Sequence, residues 1–355
     1  MGLSLITSAS YAVDELAAEF GRLPSAFLPV GHQRLYEAQI ALLKAPILLT
    51  LPASFRVPGS DRERLDRAGV TVLEVPDGLR LGESVQYALD MIGHVDDAVT
   101  ILHGDTVIKD LPAGFDVVAV GEAPDAYAWG AADDEDQAAG NAVLAGYFAF
   151  ADGLAFRRAL AASNGDFVAA VHEYGHQRPL ERTVVNSWFD CGHLQTYYRS
   201  RCSIRTNRAF NRLEMTYQKV EKRSFDTQKI AAEAAWYEDL PAPLRLFTPA
   251  FLGRCGEPGQ EAGYAIEYLP SPSLHELFVF GDLGNAGWRN IFAACFEFMR
   301  ACRDAGAPAG LAPPLGALTR DKTSGRLDAY LRSSGIPASC EWRYRGRLLP
   351  PLAEI

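Results

Sequence analysis

Two aspartates in this chain, Asp105 and Asp190, each stand where an apolar segment of the sequence meets a turn. Asp105 comes shortly after the apolar residues 98–101, and Asp190 lies inside the phrase WFDCG at 188–192. A Mg²⁺ ion that is bound to a nucleotide needs only one or two protein carboxylates, because phosphate and water oxygens complete its octahedron. Two such carboxylates are therefore what a metal-dependent nucleotidyl-transfer site would require.

The segments around these aspartates predict the elements that would position them. Apolar runs predict buried strands at 3–7, 46–51, 70–75, 98–102, 117–120 and 147–150. Apolar residues at helical spacing predict amphipathic helices at 35–43, 61–68 and 84–92. Continuous apolar strands between amphipathic helices are typical of an α/β fold with a parallel, doubly wound sheet. We therefore expect this fold for the first 200 or so residues.

The character of the sequence changes near Arg205. The segments that follow predict a β-hairpin at 211–217 and 218–224, a helix at 227–238, a strand at 264–269 and a helix at 288–305. A chain of 355 residues is too long for one ordinary core. We therefore predict two domains, an α/β domain at 1–205 and a smaller α+β domain at 206–355.

The composition of the chain limits which partners the protein can bind and where in the cell it is expected. The formal net charge of −10 argues against a general nucleic-acid-binding protein, and no apolar run is long enough to span a membrane. The six cysteines form no C-x-x-C pair and look like reduced thiols. These features predict a cytoplasmic protein, and they leave open whether it forms a homo-oligomer.

Four phrases along the first 200 residues resemble sugar-phosphate nucleotidyltransferases. They are LPVGHQRLYEAQ at 28–39, GD at 104–105, AGYFAF at 145–150 and WFDCG at 188–192. They occur in the order of that family, whose fold is a Rossmann-like, GT-A-like α/β domain. The resemblance implies that Asp105 and Asp190 hold Mg²⁺, and that Gly146 lets the backbone approach the sugar.

The same resemblance implies a nucleotide site formed by two turns. One turn is the loop TSASY at 7–11, which contains Ser8. The other contains Gly82 and Ser84 and opens a helix, where backbone N–H groups favour phosphates. These residues would lie beside the base or the phosphates of the nucleotide.

The chain departs from the family at its cationic positions. Family members begin with a Gly-rich loop that carries an Arg, and they place a Lys shortly before the Leu-Pro-Val phrase. Here the loop holds no Gly, and the position of the Lys is Ser25. The phosphates still require positive charge. We therefore predict that Arg22 supplies it as a catalytic residue, with Arg34 as a second candidate that binds substrate.

The second part of the chain resembles the N-lobe of aminoglycoside-phosphotransferase and choline-kinase-like enzymes. The resemblance implies that Lys222, on a strand, holds nucleotide phosphates and pairs with Glu233, on a helix. Residues 267–269 match the hinge. We find no catalytic Asp in an H-x-D-type loop after residue 288, so we expect no kinase activity from this chain. Whether the chain is a piece of a longer two-enzyme protein is left open.

One short motif indicates a different class of enzyme. The phrase HEYGH at 172–176 matches H-E-x-x-H, which on a helix places His172 and His176 on one face for zinc. Arg178 follows where an apolar residue would be expected, Pro179 ends the helix, and no third ligand is evident in the sequence. The alternative interpretation is the end of a surface helix.

Together these features favour a Mg²⁺-dependent nucleotidyltransferase. It would join an NTP to a sugar 1-phosphate or a small phosphorylated alcohol, release pyrophosphate, and serve the synthesis of surface (capsular) polysaccharide precursors. Two alternatives stay open. One is a catalytically weakened scaffold protein that binds nucleotides or sugar phosphates, and the other is a zinc hydrolase.

Overall fold

The computed structural model describes residues 2–93, 97–122, 142–204, 212–256, 262–306, 315–344, 346–351 and 354. The helices are α1 (Asp14–Phe20), α2 (Leu35–Ile40), α3 (Gly59–Arg67), α4 (Leu81–Ile92), α5 (Gly153–Ala162), α6 (Phe167–Gln177), α7 (Leu194–Ser203), α8 (Thr227–Glu238), α9 (Leu274–Phe280), α10 (Asn285–Ala305) and α11 (Leu315–Ser334), with 3₁₀ turns at Ser25–Phe27 and Ala242–Phe247. The strands are β1 (Leu3–Thr7), β2 (Pro29–Val30), β3 (Gln33–Arg34), β4 (Ile47–Pro52), β5 (Val70–Val75), β6 (Val99–His103), β7 (Thr106–Ile108), β8 (Val117–Glu122), β9 (Ala142–Phe150), β10 (Glu181–Val184), β11 (Trp188–Asp190), β12 (Arg212–Met215), β13 (Lys219–Ser224), β14 (Phe251–Cys255), β15 (Ala262–Glu267), β16 (Trp342–Tyr344) and β17 (Arg347–Leu349). None of the described helices is both long and apolar enough to cross a membrane.

The largest sheet has seven strands in the order β10-β8-β9-β6-β1-β4-β5. Strands β6, β1, β4 and β5 run parallel, and so do β10 and β8, but β9 is antiparallel to both β6 and β8. The predicted α/β fold is confirmed, with a central sheet that is mostly parallel. Strand β9 departs from the parallel arrangement that the sequence predicts, because an apolar run has the same pattern in either strand direction.

Both faces of this sheet are buried, which explains the continuous apolar runs. Successive side chains of a strand point to opposite faces. In β4, Leu49 belongs to one core cluster, which we call the first core cluster, while its neighbour Leu48 belongs to another. Helices α1, α2 and α3 contribute to the first core cluster, and α4, α5 and α6 contribute to the other. The sheet is therefore covered by helices on both sides.

A second, antiparallel sheet has four strands in the order β12-β13-β15-β14. The predicted hairpin is present as β12 and β13, and the predicted helix is α8. Helix α8 packs on this sheet through Ile230 and Ala234, which form a small core with Tyr264 of β15. Strand β15 ends at Glu267, earlier than predicted, and Tyr268 packs against the first core cluster.

The chain divides into two compact units, Met1–Cys295 and Phe296–Ile355. Within the first unit, α9 and the residues after it pack on the first core cluster, to which Leu277 belongs. The second unit contains the end of α10, helix α11 and the hairpin of β16 with β17. The boundary that we predicted near Arg205 lies outside the described residues, so a division at 205 stays a prediction.

Candidate functional site

The two aspartates that we predict to bind a metal ion lie side by side on a short two-stranded sheet. Asp105 directly precedes β7, and Asp190 is the last residue of β11. These strands pair in antiparallel fashion, with Asp190 opposite Thr106. The N–H of Cys191 also donates a hydrogen bond to the Asp105 carbonyl over 2.7 Å. The sequence places each aspartate where an apolar segment meets a turn, but it does not predict the pairing of β7 with β11, because each strand has only three residues.

Gly192 is the point at which the two carboxylates converge. A Cβ atom at Gly192 would lie 2.7 Å from Asp105 Oδ2 and 3.2 Å from Asp190 Oδ1, so these oxygens are no further apart than the sum of the two distances. The Gly192 N–H donates a hydrogen bond to Asp190 Oδ1 over 2.8 Å. The other oxygen, Asp190 Oδ2, is buried and has no hydrogen-bond partner among the described residues.

This arrangement fits a hard divalent cation. A buried carboxylate oxygen without a partner is costly, unless a ligand satisfies it. Two carboxylates are also a sufficient protein contribution for Mg²⁺ when phosphates supply further oxygens. Across the described ranges, no group of three or more His, Cys, Asp or Glu side chains is placed to hold a metal ion. The geometry therefore suits an ion that is shared with a bound phosphate better than an ion held by protein ligands alone.

The environment of Asp105 disfavours its charged form. Burial raises the pKa of the Asp105 carboxyl to about 6, and the nearby charge of Asp190 adds to the increase. A hydrogen bond from Thr106 Oγ1 to Asp105 Oδ1 acts in the opposite direction, as does the electrostatic effect of His193. Because two neighbouring carboxylates repel each other when both are ionised, a cation bound between them would remove an unfavourable interaction.

We predict that Asp105 makes the stability of the metal-free chain depend on pH. Its pKa is about 6 in the folded chain, against an ordinary value of 3.8, so the folded state binds this proton more tightly. The resulting stabilisation is fully present below the ordinary pKa and is lost as the pH rises through the folded pKa. The loss amounts to at most about 3 kcal/mol. Thermal unfolding in EDTA from about pH 5 to about pH 8 should show a steeper fall for the wild type than for Asp105→Asn.

The matched control for this experiment is Asp66→Asn, which removes an exposed aspartate on α3. It should keep the pH slope of the wild type. At the upper pH, addition of an NTP with Mg²⁺ in excess over the EDTA should raise the unfolding temperature of the wild type, and it should leave that of Asp105→Asn nearly unchanged. Identical pH slopes for the wild type and Asp105→Asn would contradict the prediction.

The two carboxylates line a cavity of about 180 Å³, which we call the aspartate cavity. Gly146 and Ser25, both selected from the sequence, line it as well. The lining residues that were not selected from the sequence include Tyr11, His103, Trp188 and His193. Tyr11 lies in the phrase TSASY, Trp188 lies in WFDCG, and His193 directly follows WFDCG.

The aspartate cavity offers little positive charge to a phosphate. None of the described residues that line it is Lys or Arg. Burial lowers the pKa of His103 to about 4, so this imidazole is neutral near pH 7. The sequence has Ser25 where the family that it resembles has a lysine. No lysine or arginine in the described lining supplies the missing positive charge.

Because Gly146 has no side chain, only backbone atoms line the aspartate cavity at this position. Its φ angle is +78°, and a Cβ atom there would lie 2.8 Å from Thr106 Oγ1 and 3.3 Å from His103 Cβ. Any other residue would be strained and crowded at this position. The proposed contact of Gly146 with the sugar stays a prediction, but its place beside Asp105 suits it.

The structure gives Ser8 partners within the protein. Its side chain is buried, and Ser8 Oγ accepts a hydrogen bond from the N–H of Ala26 over 3.0 Å. The N–H of Ser8 donates to Thr50 Oγ1 over 3.0 Å. The hydroxyl thus holds the loop after β1 against the 3₁₀ turn, and its role beside a nucleotide stays a prediction.

Gly82 and Ser84 also have contacts that explain them without a nucleotide. A Cβ atom at Gly82 would lie 2.2 Å from the carbonyl oxygen of Gly165, so close packing requires glycine there. Ser84 Oγ donates to the carbonyl of Leu81 over 2.8 Å, and its side chain is buried. Neither residue lines the aspartate cavity, and their role beside a nucleotide stays a prediction.

Arg34, predicted to bind substrate, is buried and engaged with the protein. Its guanidinium forms an ion pair with Asp61 over 3.1 Å. Nη1 of Arg34 also donates to the carbonyl oxygens of Phe27 and Phe280, each over 2.7 Å. A guanidinium held in this way stabilises the fold, so the structure corrects our expectation that Arg34 binds substrate in the aspartate cavity.

Arg22, predicted to be catalytic, lines a different cavity from the two aspartates. Its guanidinium carbon lies 4.0 Å from the centroid of the Tyr11 ring. Tyr11 lines both the aspartate cavity and the cavity that contains Arg22. The structure therefore brings together Asp105, Asp190, Gly146 and Ser25, and it places Arg22 on the other side of Tyr11.

The ion pair predicted in the second part of the chain is present. Lys222 Nζ on β13 lies 2.6 Å from Glu233 Oε2 on α8. The hydroxyl of Tyr264 donates to the same carboxylate oxygen over 3.0 Å. The cavity that this pair lines contains no residue of the predicted hinge at 267–269, so the binding of a nucleotide by Lys222 and Glu233 stays a prediction.

His172 and His176 lie on α6 and line one small cavity together with Arg182. The helix ends at Gln177, before Pro179, as expected from the sequence. In the described part of the chain, no third metal-ligating side chain joins them. The neighbouring guanidinium also disfavours a dication, because like charges repel. The geometry therefore gives the zinc interpretation no further support.

Several solved structures are similar to part of this chain. A nucleoside-diphosphate-sugar pyrophosphorylase from Vibrio cholerae RC9 is 14% identical, with 56% of this chain and 99% of that chain covered, at a TM-score of 0.44. The inositol-1-phosphate CTP transferase from T. maritima is 14% identical, with 58% of this chain and 97% of that chain covered, at a TM-score of 0.41. The CTP:phosphocholine cytidylyltransferase from Streptococcus pneumoniae is 13% identical, with 57% of this chain and 99% of that chain covered, at a TM-score of 0.42. No family model matches the chain, and no curated protein matches it significantly.

Proposed function

We propose that this chain is a nucleotidyltransferase that joins an NTP to a sugar 1-phosphate or another small phosphorylated alcohol and releases pyrophosphate. The observation that carries the proposal is the convergence of Asp105 and Asp190 on Gly192 at the wall of the aspartate cavity. The order of the four phrases in the sequence supports the same reaction class, since both aspartates and Gly146 come from those phrases.

Asp105 and Asp190 are the residues that would hold Mg²⁺. When bound, the ion would neutralise the charge of phosphate oxygens. The protein orients both carboxylates beforehand, because Gly192 N–H binds one oxygen of Asp190 and Thr106 Oγ1 binds one oxygen of Asp105. Preorganised groups of this kind favour the transition state because they need not reorganise during the reaction.

In the proposed reaction, an oxygen of the phosphorylated substrate attacks the α-phosphorus of the NTP. A new P–O bond forms, the bond between the α-phosphorus and the bridging oxygen breaks, and pyrophosphate leaves. The protein's own task is to hold the two phosphates in line. The backbone at Gly146 is where the phosphorylated substrate would approach, and the triphosphate would lie beside Tyr11 and Ser25, which line the same cavity.

A second candidate is a weakened protein that binds nucleotides or sugar phosphates without turning them over. The observation that favours it is the absence of Lys and Arg from the described lining of the aspartate cavity. A triphosphate bound there would lack the charge-assisted hydrogen bonds that usually hold such groups.

The experiment that separates the two candidates measures pyrophosphate release and nucleotide binding on the same preparation. The four common NTPs would be combined with glucose 1-phosphate or phosphocholine, with Mg²⁺ and then with EDTA. Release that requires Mg²⁺ and a phosphorylated acceptor supports the nucleotidyltransferase. Binding of an NTP without release supports the binding protein, and the lack of both would contradict both candidates.

A further inference from the structure

A second cavity, of about 360 Å³, lies between the residues after β4, the residues after α1 and the chain at 280–282. We call it the arginine cavity because three arginines, Arg22, Arg34 and Arg56, line it. The described lining contains a single acidic residue, Asp282. Its volume is in the range of small-molecule sites.

Arg34 is the buried member of the three arginines in the lining. Its charge is balanced by Asp61, and its Nη1 donates to the carbonyl of Phe280, which also lines the cavity, and to the carbonyl of Phe27. A buried guanidinium therefore holds the chain at Phe280 in place, so this wall of the cavity is a fixed part of the fold.

Arg22 and Arg56 are the two guanidiniums that remain available. Both are exposed, and neither lies within ion-pair distance of a described carboxylate, but the charge of Arg22 adds to the hydrogen bonds from Ser54 in lowering the pKa of the Asp77 carboxyl. Arg22 is positioned by stacking on the Tyr11 ring. The Tyr11 hydroxyl and Ser54 Oγ lie 2.8 Å apart, and the N–H of Ser54 donates to Asp77 over 3.1 Å. A stacked guanidinium loses less side-chain freedom when it binds an anion.

We propose that the arginine cavity binds the phosphate group of a small phosphorylated molecule through Arg22 and Arg56. A guanidinium presents two parallel N–H donors that match the oxygens of a phosphate. The cavity shares Tyr11 with the aspartate cavity but none of the residues that would hold a metal ion. The proposal does not depend on the function proposed above, because its test needs neither a metal ion nor a nucleotide.

The test is a titration of the full chain with inorganic phosphate in EDTA, followed by ³¹P NMR. We expect saturable binding of one phosphate per chain. Arg56→Ala and Arg22→Ala should each weaken it about tenfold or more, the equivalent of one charge-assisted hydrogen bond. Arg56→Lys should give an intermediate affinity, because it keeps the charge but loses the paired donors.

The matched control is Arg67→Ala, which removes an exposed arginine on α3 outside both cavities and changes the net charge by the same amount. It should bind phosphate as the wild type does. The proposal is overturned if phosphate does not saturate, if Arg56→Ala keeps the affinity of the wild type, or if Arg67→Ala weakens binding equally. Unfolding temperatures of all four variants, measured without phosphate, verify that each is folded.

Discussion

Asp105→Asn and Asp190→Asn are each expected to lower Mg²⁺-dependent pyrophosphate release by roughly a thousandfold, about 4 kcal/mol in the activation barrier. Each change removes one of two carboxylates that converge on Gly192, while the amide keeps the size of the side chain. Asp190→Asn can still accept the hydrogen bond from Gly192 N–H, and Asp105→Asn can still accept that from Thr106. We therefore expect both variants to fold.

The control for these variants is again Asp66→Asn, which should keep the turnover of the wild type. Binding of Mn²⁺, followed by its electron paramagnetic resonance, provides a readout that does not depend on turnover. The wild type should bind Mn²⁺ in the presence of an NTP, and both aspartate variants should bind it at least tenfold more weakly. If either variant releases pyrophosphate at the rate of the wild type, the metal assignment is wrong.

Arg34→Ala is expected to lower the free energy of unfolding by about 3 kcal/mol, because removal of one member of a buried ion pair leaves the other uncompensated. The side chains of Arg34 and Asp61 are 4% and 2% exposed. The carbonyls of Phe27 and Phe280 would also lose a donor. Arg64, which lies 3.2 Å from Asp61, would compensate part of the lost charge. The change is measured by urea denaturation.

Two further variants separate this structural role from a loss of charge alone. Arg62→Ala removes an exposed arginine from α3 and should change the free energy of unfolding by less than about 0.5 kcal/mol. Arg34→Lys keeps a positive charge beside Asp61, but an ammonium lacks the planar set of donors that pairs with Asp61 and also binds the carbonyls of Phe27 and Phe280. Its stability should lie between those of the wild type and Arg34→Ala. A stable Arg34→Ala with weakened NTP binding would restore the substrate-binding interpretation.

Much of the central sheet could be predicted from the sequence, because strands buried on both faces are continuous apolar runs. Strands β1, β4, β5 and β6 were all recognisable in this way. The direction of β9 was not, since the apolar pattern of Ala142–Phe150 does not depend on strand direction. The short strands β7, β10 and β11 have only three or four residues each, so tertiary pairing defines them rather than a sequence pattern.

Only those residues of the candidate site that lie in recognisable sequence phrases could be predicted. Asp105 and Asp190 each follow an apolar segment, and the order of the phrases suggested their convergence before the pairing of β7 with β11 was known. The environment of Arg34 was not predictable, because its partners Asp61 and Phe280 are distant in sequence. A lone arginine in a sequence has the same appearance whether it binds a phosphate or a buried carboxylate.

The packing of α9 on the first core cluster has a consequence for synthesis on the ribosome. The central sheet is complete once residue 184 has been made, but Leu277 and the Asp282 N–H that binds the Phe20 carbonyl come much later. At about 5–20 residues per second, several seconds separate these events. During this interval the nascent chain carries an incompletely covered apolar face, to which a chaperone or another nascent chain can bind before α9 emerges.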